Sequence, residues 1–96
     1  MPGDLIDRFS ERVKCSTTFD ELQEALYSLD VQLENHRILP MRLAISQIFP
    51  GGYKLYQDGR EDPHEMFFFT VQNEEPPLER MKAFLLKEIV KSLKTI

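Results

Sequence analysis

Residues 41–57 read MRLAISQIFPGGYKLYQ, and two opposite folds can be built on them. Met41, Leu43 and Ile45 alternate as the buried side of a strand does. Ala44, Ile45, Ile48 and Phe49 could instead line a helix started by Pro40 and ended by Gly51. The FPGGY sequence favours the strand. Pro50 presets the first central dihedral of a type II turn, and Gly51 supplies the positive φ its second centre requires. Residues 41–49 are therefore expected to pair with 53–57 as a hairpin.

After the hairpin, DGREDPHE (58–65) leads into MFFFTVQ (66–72), whose aromatic and β-branched side chains suit a pleated, packed surface. Three strands in meander order result. In the third, Phe67 and Phe69 face one side and Phe68 the other. A sheet with one helical layer buries a single face, so Phe68 either packs beneath a helix or joins Tyr56 on an apolar outer face. Exposed patches of that kind mark interaction surfaces.

Two helices are expected before the hairpin. Leu5, Ile6, Phe9 and Val13 share one face of the first, with Asp4 as its N-cap. Phe19, Leu22, Leu26, Leu29 and Leu33 define the second, where Thr18 and Glu21 fit a capping box and the end falls between Asp30 and Asn35. Its outer face carries Asp20, Glu21, Glu24, Asp30 and Glu34, a solvated acidic surface. The chain closes on PPLERMKAFLLKEIVKSLKTI (76–96), a long helix with prolines at its start and Leu78, Leu85, Ile89, Leu93 and Ile96 on its apolar side. The expected class is thus α+β: two N-terminal helices, a three-stranded antiparallel meander, and a long C-terminal helix packed on one sheet face, in a single domain spanning 1–96.

Composition bounds the function. Of the 96 residues 42% are hydrophobic and 29% charged, which suits a folded domain and is too apolar for sustained disorder. No apolar run approaches the roughly 20 residues needed to cross a bilayer. Asp4, Asp7 and Glu11 interrupt residues 1–13 where a signal peptide needs an apolar core, so the expected localisation is cytoplasmic, with no membrane contact. Net charge is −4, and its sign changes along the chain: residues 1–36 carry −5, 37–75 carry −2 and 76–96 carry +3. An acidic body with a basic tail argues against broad binding to a phosphate backbone, which requires Lys and Arg to neutralise phosphates.

No catalytic signature stands out. Asp58, Glu61, Asp62, His64 and Glu65 could be imagined around a divalent metal, but they match neither a calcium loop nor a zinc-protease helix, and Asp58-Gly59 and Asp62-Pro63 suit turns. No metal site and no cofactor are expected. Cys15 lacks the helix N-terminus or neighbouring His that would activate a thiolate. The serines lack a nucleophile-elbow context.

What remains is surface. Arg80, Lys87, Lys91 and Lys94 fall at helical spacing as one cationic stripe with Phe84 beside it. Such a stripe is either a solvated face favoured by the helix dipole or a docking edge for an acidic partner, for instance the acidic second helix of another copy. The reading is a small non-enzymatic regulatory or adaptor domain that binds another protein and pairs as a homodimer. Tyr56, Phe68, Arg80, Phe84, Lys87, Lys91 and Lys94 are its partner-binding candidates: Phe68 or Phe84 in the contact, Lys87 and Lys91 at the rim. The alternative is a winged helix-turn-helix-like nucleic-acid-binding regulator, which needs residues 37–49 as a helix, Arg37 and Arg42 towards DNA, and Lys54 and Arg60 on the wing. Its apolar recognition helix and its acidic wing tip at 58–65 argue against it.

Overall fold

The computed structural model describes residues 3–48, 51–57, 64–70 and 76–96. Helix α1 (Gly3–Cys15) and helix α2 (Phe19–Asn35) precede strands β1 (Leu43–Ile48), β2 (Gly52–Gln57) and β3 (His64–Thr70). The C-terminal helix then runs as Pro77–Phe84, Leu85–Ile89 and Val90–Lys94. The sheet is antiparallel in the order β1-β2-β3, so the expected α+β arrangement holds. With β1 a strand, the helix required by the winged-helix alternative is not formed.

The hairpin pairs Leu43 with Gln57 and Ile48 with Gly52. The Gly51 N–H donates to the Ile48 carbonyl at 2.9 Å, so the hairpin closes one residue earlier than a turn centred on Pro50 and Gly51 requires; Phe49 and Pro50 lie outside the described residues. Gly51 follows the turn at φ +150°, where glycine is favoured.

Each helix begins and ends for a local reason. The Thr18 hydroxyl accepts from the Glu21 N–H at 3.1 Å, and Glu21 reaches back to the Thr17 N–H at 3.2 Å, one residue earlier than a standard capping box. Asp4 is not an N-cap. It lies inside the first turn of α1, near the positive end of the dipole, paired with Arg8 at 3.3 Å. Helix α2 takes the longer of its two expected lengths and closes with a Schellman motif: Arg37 N–H to Glu34 O at 2.9 Å and Ile38 N–H to Leu33 O at 2.8 Å. Arg37 stands at φ +60°, the position usually given to glycine.

The core is one cluster. Leu5, Ile6, Phe9 and Val13 of α1 meet Leu22, Leu26, Leu29 and Leu33 of α2, Leu43 and Leu55 of the sheet, and the buried side of the C-terminal helix. Two aromatic stacks tie helices to the sheet, Phe19 on Tyr53 and Phe67 on Phe84, each with ring centres 4.2 Å apart. On the C-terminal helix the buried residues are Met81, Leu85, Ile89 and Leu93; Ile96, expected in the core, is exposed. Four residues exceed one α-helical turn by about 40°, so three such steps would turn the apolar stripe by roughly 120°. The wider i→i+5 turn at Leu85–Ile89, closed by the Val90 N–H on the Leu85 carbonyl, takes up that drift and holds all four side chains against the same core.

Candidate protein-binding surface

The structure divides the expected partner-binding residues between two sides of β3. Lys54 pairs across the strands with Phe68, and the Lys54 ammonium lies 5.3 Å from the centre of the Tyr56 ring. Phe68 is 48% exposed on this outer sheet face, while Tyr56 is half-buried. Phe84 lies on the other side, half-buried by its stack on Phe67, where it shares a shallow cavity of about 240 Å³ with Arg80, Ala83 and Lys87. Lys91 and Lys94 continue along the helix in solvent. No ion pair among the described residues engages Lys87, Lys91 or Lys94. Arg80 is less exposed than these three and flanks the cavity, so the single even stripe expected from spacing becomes a cationic, aromatic-floored hollow followed by two exposed lysines.

One lysine of the same helix is used by the fold. The Lys82 ammonium donates to the carbonyls of Lys14 and Ser16 at 2.8 and 3.0 Å, placing positive charge on the C-terminal end of α1. Charge counting along the sequence did not separate it from its neighbours.

A larger groove lies elsewhere, between α2 and the strand that follows it. Gln23, Tyr27, Asp30, Val31, Glu34 and Pro40 line it with residues 42–44, and its volume is about 380 Å³. Two side chains build its wall. Gln23 acts as a substitute peptide group for the β1 edge, its amide nitrogen donating to Leu43 O at 3.1 Å and its amide oxygen accepting from Ile45 N at 2.8 Å. The Asp30 carboxylate accepts from the Met41 and Arg42 backbone N–H groups at 2.9 and 3.2 Å, and Arg42 adopts φ +55° to deliver its donor. Burial raises the Asp30 pKa above the ordinary carboxylate range, and the two backbone donors oppose that shift without cancelling it.

Above that polar wall the groove is rimmed with apolar surface. Tyr27 is 70% exposed and Val31 38%, one turn apart on α2, and Leu39, beside Pro40, is 88% exposed. Glu24 and Glu34 stand in solvent at either end of the Tyr27–Val31 pair. The spacing of the buried stripe did not single out any of these three apolar residues. The available signal was Tyr27 and Val31 at i, i+4 outside the Leu22–Leu33 stripe, followed by an apolar Leu-Pro step just past the helix end.

The remaining candidates carry little chemistry. Cys15 is exposed, and its thiol donates to Glu11 at 3.4 Å; that hydrogen bond, reinforced by the Glu11 charge, raises the thiol pKa and disfavours the nucleophilic thiolate. His36 caps the end of α2 in solvent. Asp58, Glu61 and Asp62 lie outside the described residues, as do the side chains of His64 and Glu65. No group of three or more His, Cys, Asp or Glu suited to a metal occurs among the described residues. No helix there is long and apolar enough to cross a membrane. Compared with known proteins, the chain matches no family model, no curated protein and no solved structure.

Proposed function

We propose that this chain is a non-enzymatic regulatory or adaptor domain that works by binding protein, with the α2 groove as its principal contact and self-association, beginning at the homodimer, as its simplest assembly. One observation carries the reading. Of the five large apolar side chains exposed among the described residues, two (Tyr27 and Val31) line the α2 groove, and a third, Leu39, stands next in sequence to Pro40 of its wall. Exposed apolar side chains that line a groove, rather than standing singly on the surface, mark a binding site. Tyr27 supplies a large, nearly rigid contact of the type that dominates protein interfaces. The domain acts in the cytoplasm, where a lone exposed thiol remains reduced.

A second contact has its own observation. Phe68, exposed opposite Lys54 on the sheet face away from the helices, offers a smaller patch for two-fold pairing. Affinity capture from nuclease-treated lysate separates the two. Tyr27→Ser with Val31→Ser should abolish recovery of the bound protein, this chain included, while Phe68→Ser should leave it. Recovery that survives the groove double variant and is lost with Phe68→Ser would move the function to the sheet face. A bound fraction that disappears with nuclease would replace protein by nucleic acid.

A further inference from the structure

The exposed α2 face, with Leu39 just past its end, and the hollow on the C-terminal helix carry opposite charges and offer a knob and a hole, and this inference rests on the protein-binding reading above. We propose that the occupant of the groove is the C-terminal helix of a second copy of this chain, docked head to tail. Leu39 of one copy enters the Phe67–Phe84 hollow of the next, and Lys87, Lys91 and Lys94 of that next copy lie along Glu34, Tyr27 and Glu24.

Shape is the first argument. Leu39 projects with 88% of its surface exposed, directly after the Schellman turn whose hydrogen bonds fix where the chain leaves α2. The hollow between Arg80 and Lys87 has an aromatic floor, Phe67 stacked on Phe84, and about 240 Å³ to fill. An isolated apolar knob and an apolar-floored hole are the anchor arrangement from which interfaces draw most of their energy.

Charge is the second. Glu24 and Glu34 are exposed and enter no ion pair among the described residues, and the same holds for Lys87, Lys91 and Lys94. Arg42 is the opposing cation on the groove wall, set against Asp30 and Glu34. With Leu39 seated, the helices run antiparallel: Glu34 meets Lys87, the Tyr27 ring meets Lys91, and Glu24 meets Lys94. At 1.5 Å per residue Glu24 to Glu34 spans about 15 Å and Lys87 to Lys94 about 10 Å. Flexible lysine stems absorb the difference, laying their methylenes along Tyr27 and Val31 and carrying the ammonium groups to the acids.

Topology sets the symmetry. The groove borders β1, the hollow borders β3, and these are the two ends of the β1-β2-β3 sheet. Each copy therefore presents knob and hole on opposite flanks. Such a heterologous contact extends past the dimer or closes as a ring, unlike a two-fold pair.

The test is sedimentation velocity from low micromolar to near-millimolar protein, at low and high salt. Every substituted side chain is exposed, and circular dichroism checks that the fold is kept. Wild type should sediment faster with concentration, beyond the dimer, and less so at high salt. Leu39→Ser should weaken association by roughly tenfold or more. Glu24→Lys with Glu34→Lys, and Lys87→Glu with Lys94→Glu, should each abolish it, and all four changes in one chain should restore it. A wild type that stays monomeric throughout, a Leu39→Ser variant that associates as wild type, or a fourfold variant no better than the doubles would overturn the proposal. If association disappears with Tyr27→Ser and Val31→Ser yet ignores the charge changes, the groove remains the contact and only its assigned occupant falls.

Discussion

Helix α2 and the C-terminal helix are built alike on the inside and differently on the outside. Each sends four large apolar side chains into the same core, Leu22, Leu26, Leu29 and Leu33 from one and Met81, Leu85, Ile89 and Leu93 from the other. Outside, α2 combines apolar surface with acids, one of which, Asp30, is bound to backbone amides. The C-terminal helix combines an aromatic hollow with lysines, one of which, Lys82, is bound to backbone carbonyls. On both, the charge bound to backbone belongs to the fold and the others belong to the surface. Position along the sequence does not separate these two kinds of charge; the distance to a partner does.

The contrast between inside and outside gives the largest expected effect. Leu26→Ala or Leu33→Ala should cost about 2–5 kcal/mol, because each removes a fully buried side chain and leaves a cavity. Tyr27→Ala, the immediate neighbour of Leu26, should change stability by no more than about 0.5 kcal/mol. Urea denaturation at constant m-value measures both, and a Tyr27→Ala cost comparable to that of Leu26→Ala would mean that Tyr27 belongs to the core.

The contrast between lysines is next in size. Lys82→Met keeps the aliphatic stem and removes two hydrogen bonds from a side chain only 13% exposed, and should cost about 1.5–3 kcal/mol. Lys87→Met should be neutral within about 0.5 kcal/mol. Thermal melts of the pair check it, and equal stabilities would remove the division between structural and surface lysines.

Smaller still is the turn that positions Leu39. Arg37 holds a left-handed backbone that disfavours a Cβ, so Arg37→Gly should stabilise the fold by roughly 0.5–1 kcal/mol once the extra freedom of glycine in the unfolded chain is subtracted. A loss of stability in the same melts would show that the Arg37 side chain contributes more than its backbone costs.

The smallest effect is the pH response of Asp30. Its folded pKa is raised by burial, so its contribution is most favourable below the unfolded carboxylate pKa and declines as pH rises through the folded one. Between the unfolded and the raised folded pKa, the stability difference between wild type and Asp30→Asn should move against wild type as pH increases. A difference that moves in favour of wild type over the same window would mean that the backbone donors, rather than burial, dominate the site.

Much of the fold was legible because its signals were redundant. In β1 and β2, alternation and a Pro-Gly turn agreed; in α2, apolar spacing and a cap agreed. The turn register was not legible, since FPGGY allows Pro50 and Gly51 to be shifted by one position. The i→i+5 segment was missed for a related reason: a four-residue repeat reads as an ordinary helix until the position of the core is known, which is also why Met81 was overlooked and Ile96 was placed inside. The candidate surface was half legible. Phe68, Lys87, Lys91 and Lys94 followed from periodicity alone. Tyr27, Val31 and Leu39 did not, because an acidic helix face hides two apolar residues in a composition count, and because Leu39 owes its exposure to the turn at Arg37.

The proposed contact sets the α2 groove of one copy, with Leu39, against the C-terminal helix of the next. A dilution series of backbone amide chemical shifts tests it residue by residue. Concentration-dependent shifts are expected at Tyr27, Val31, Glu34 and Leu39 together with Phe84, Lys87 and Lys91, and steady signals at Lys54, Tyr56 and Phe68. Shifts confined to Lys54, Tyr56 and Phe68, or a spectrum unchanged at every concentration, would contradict it.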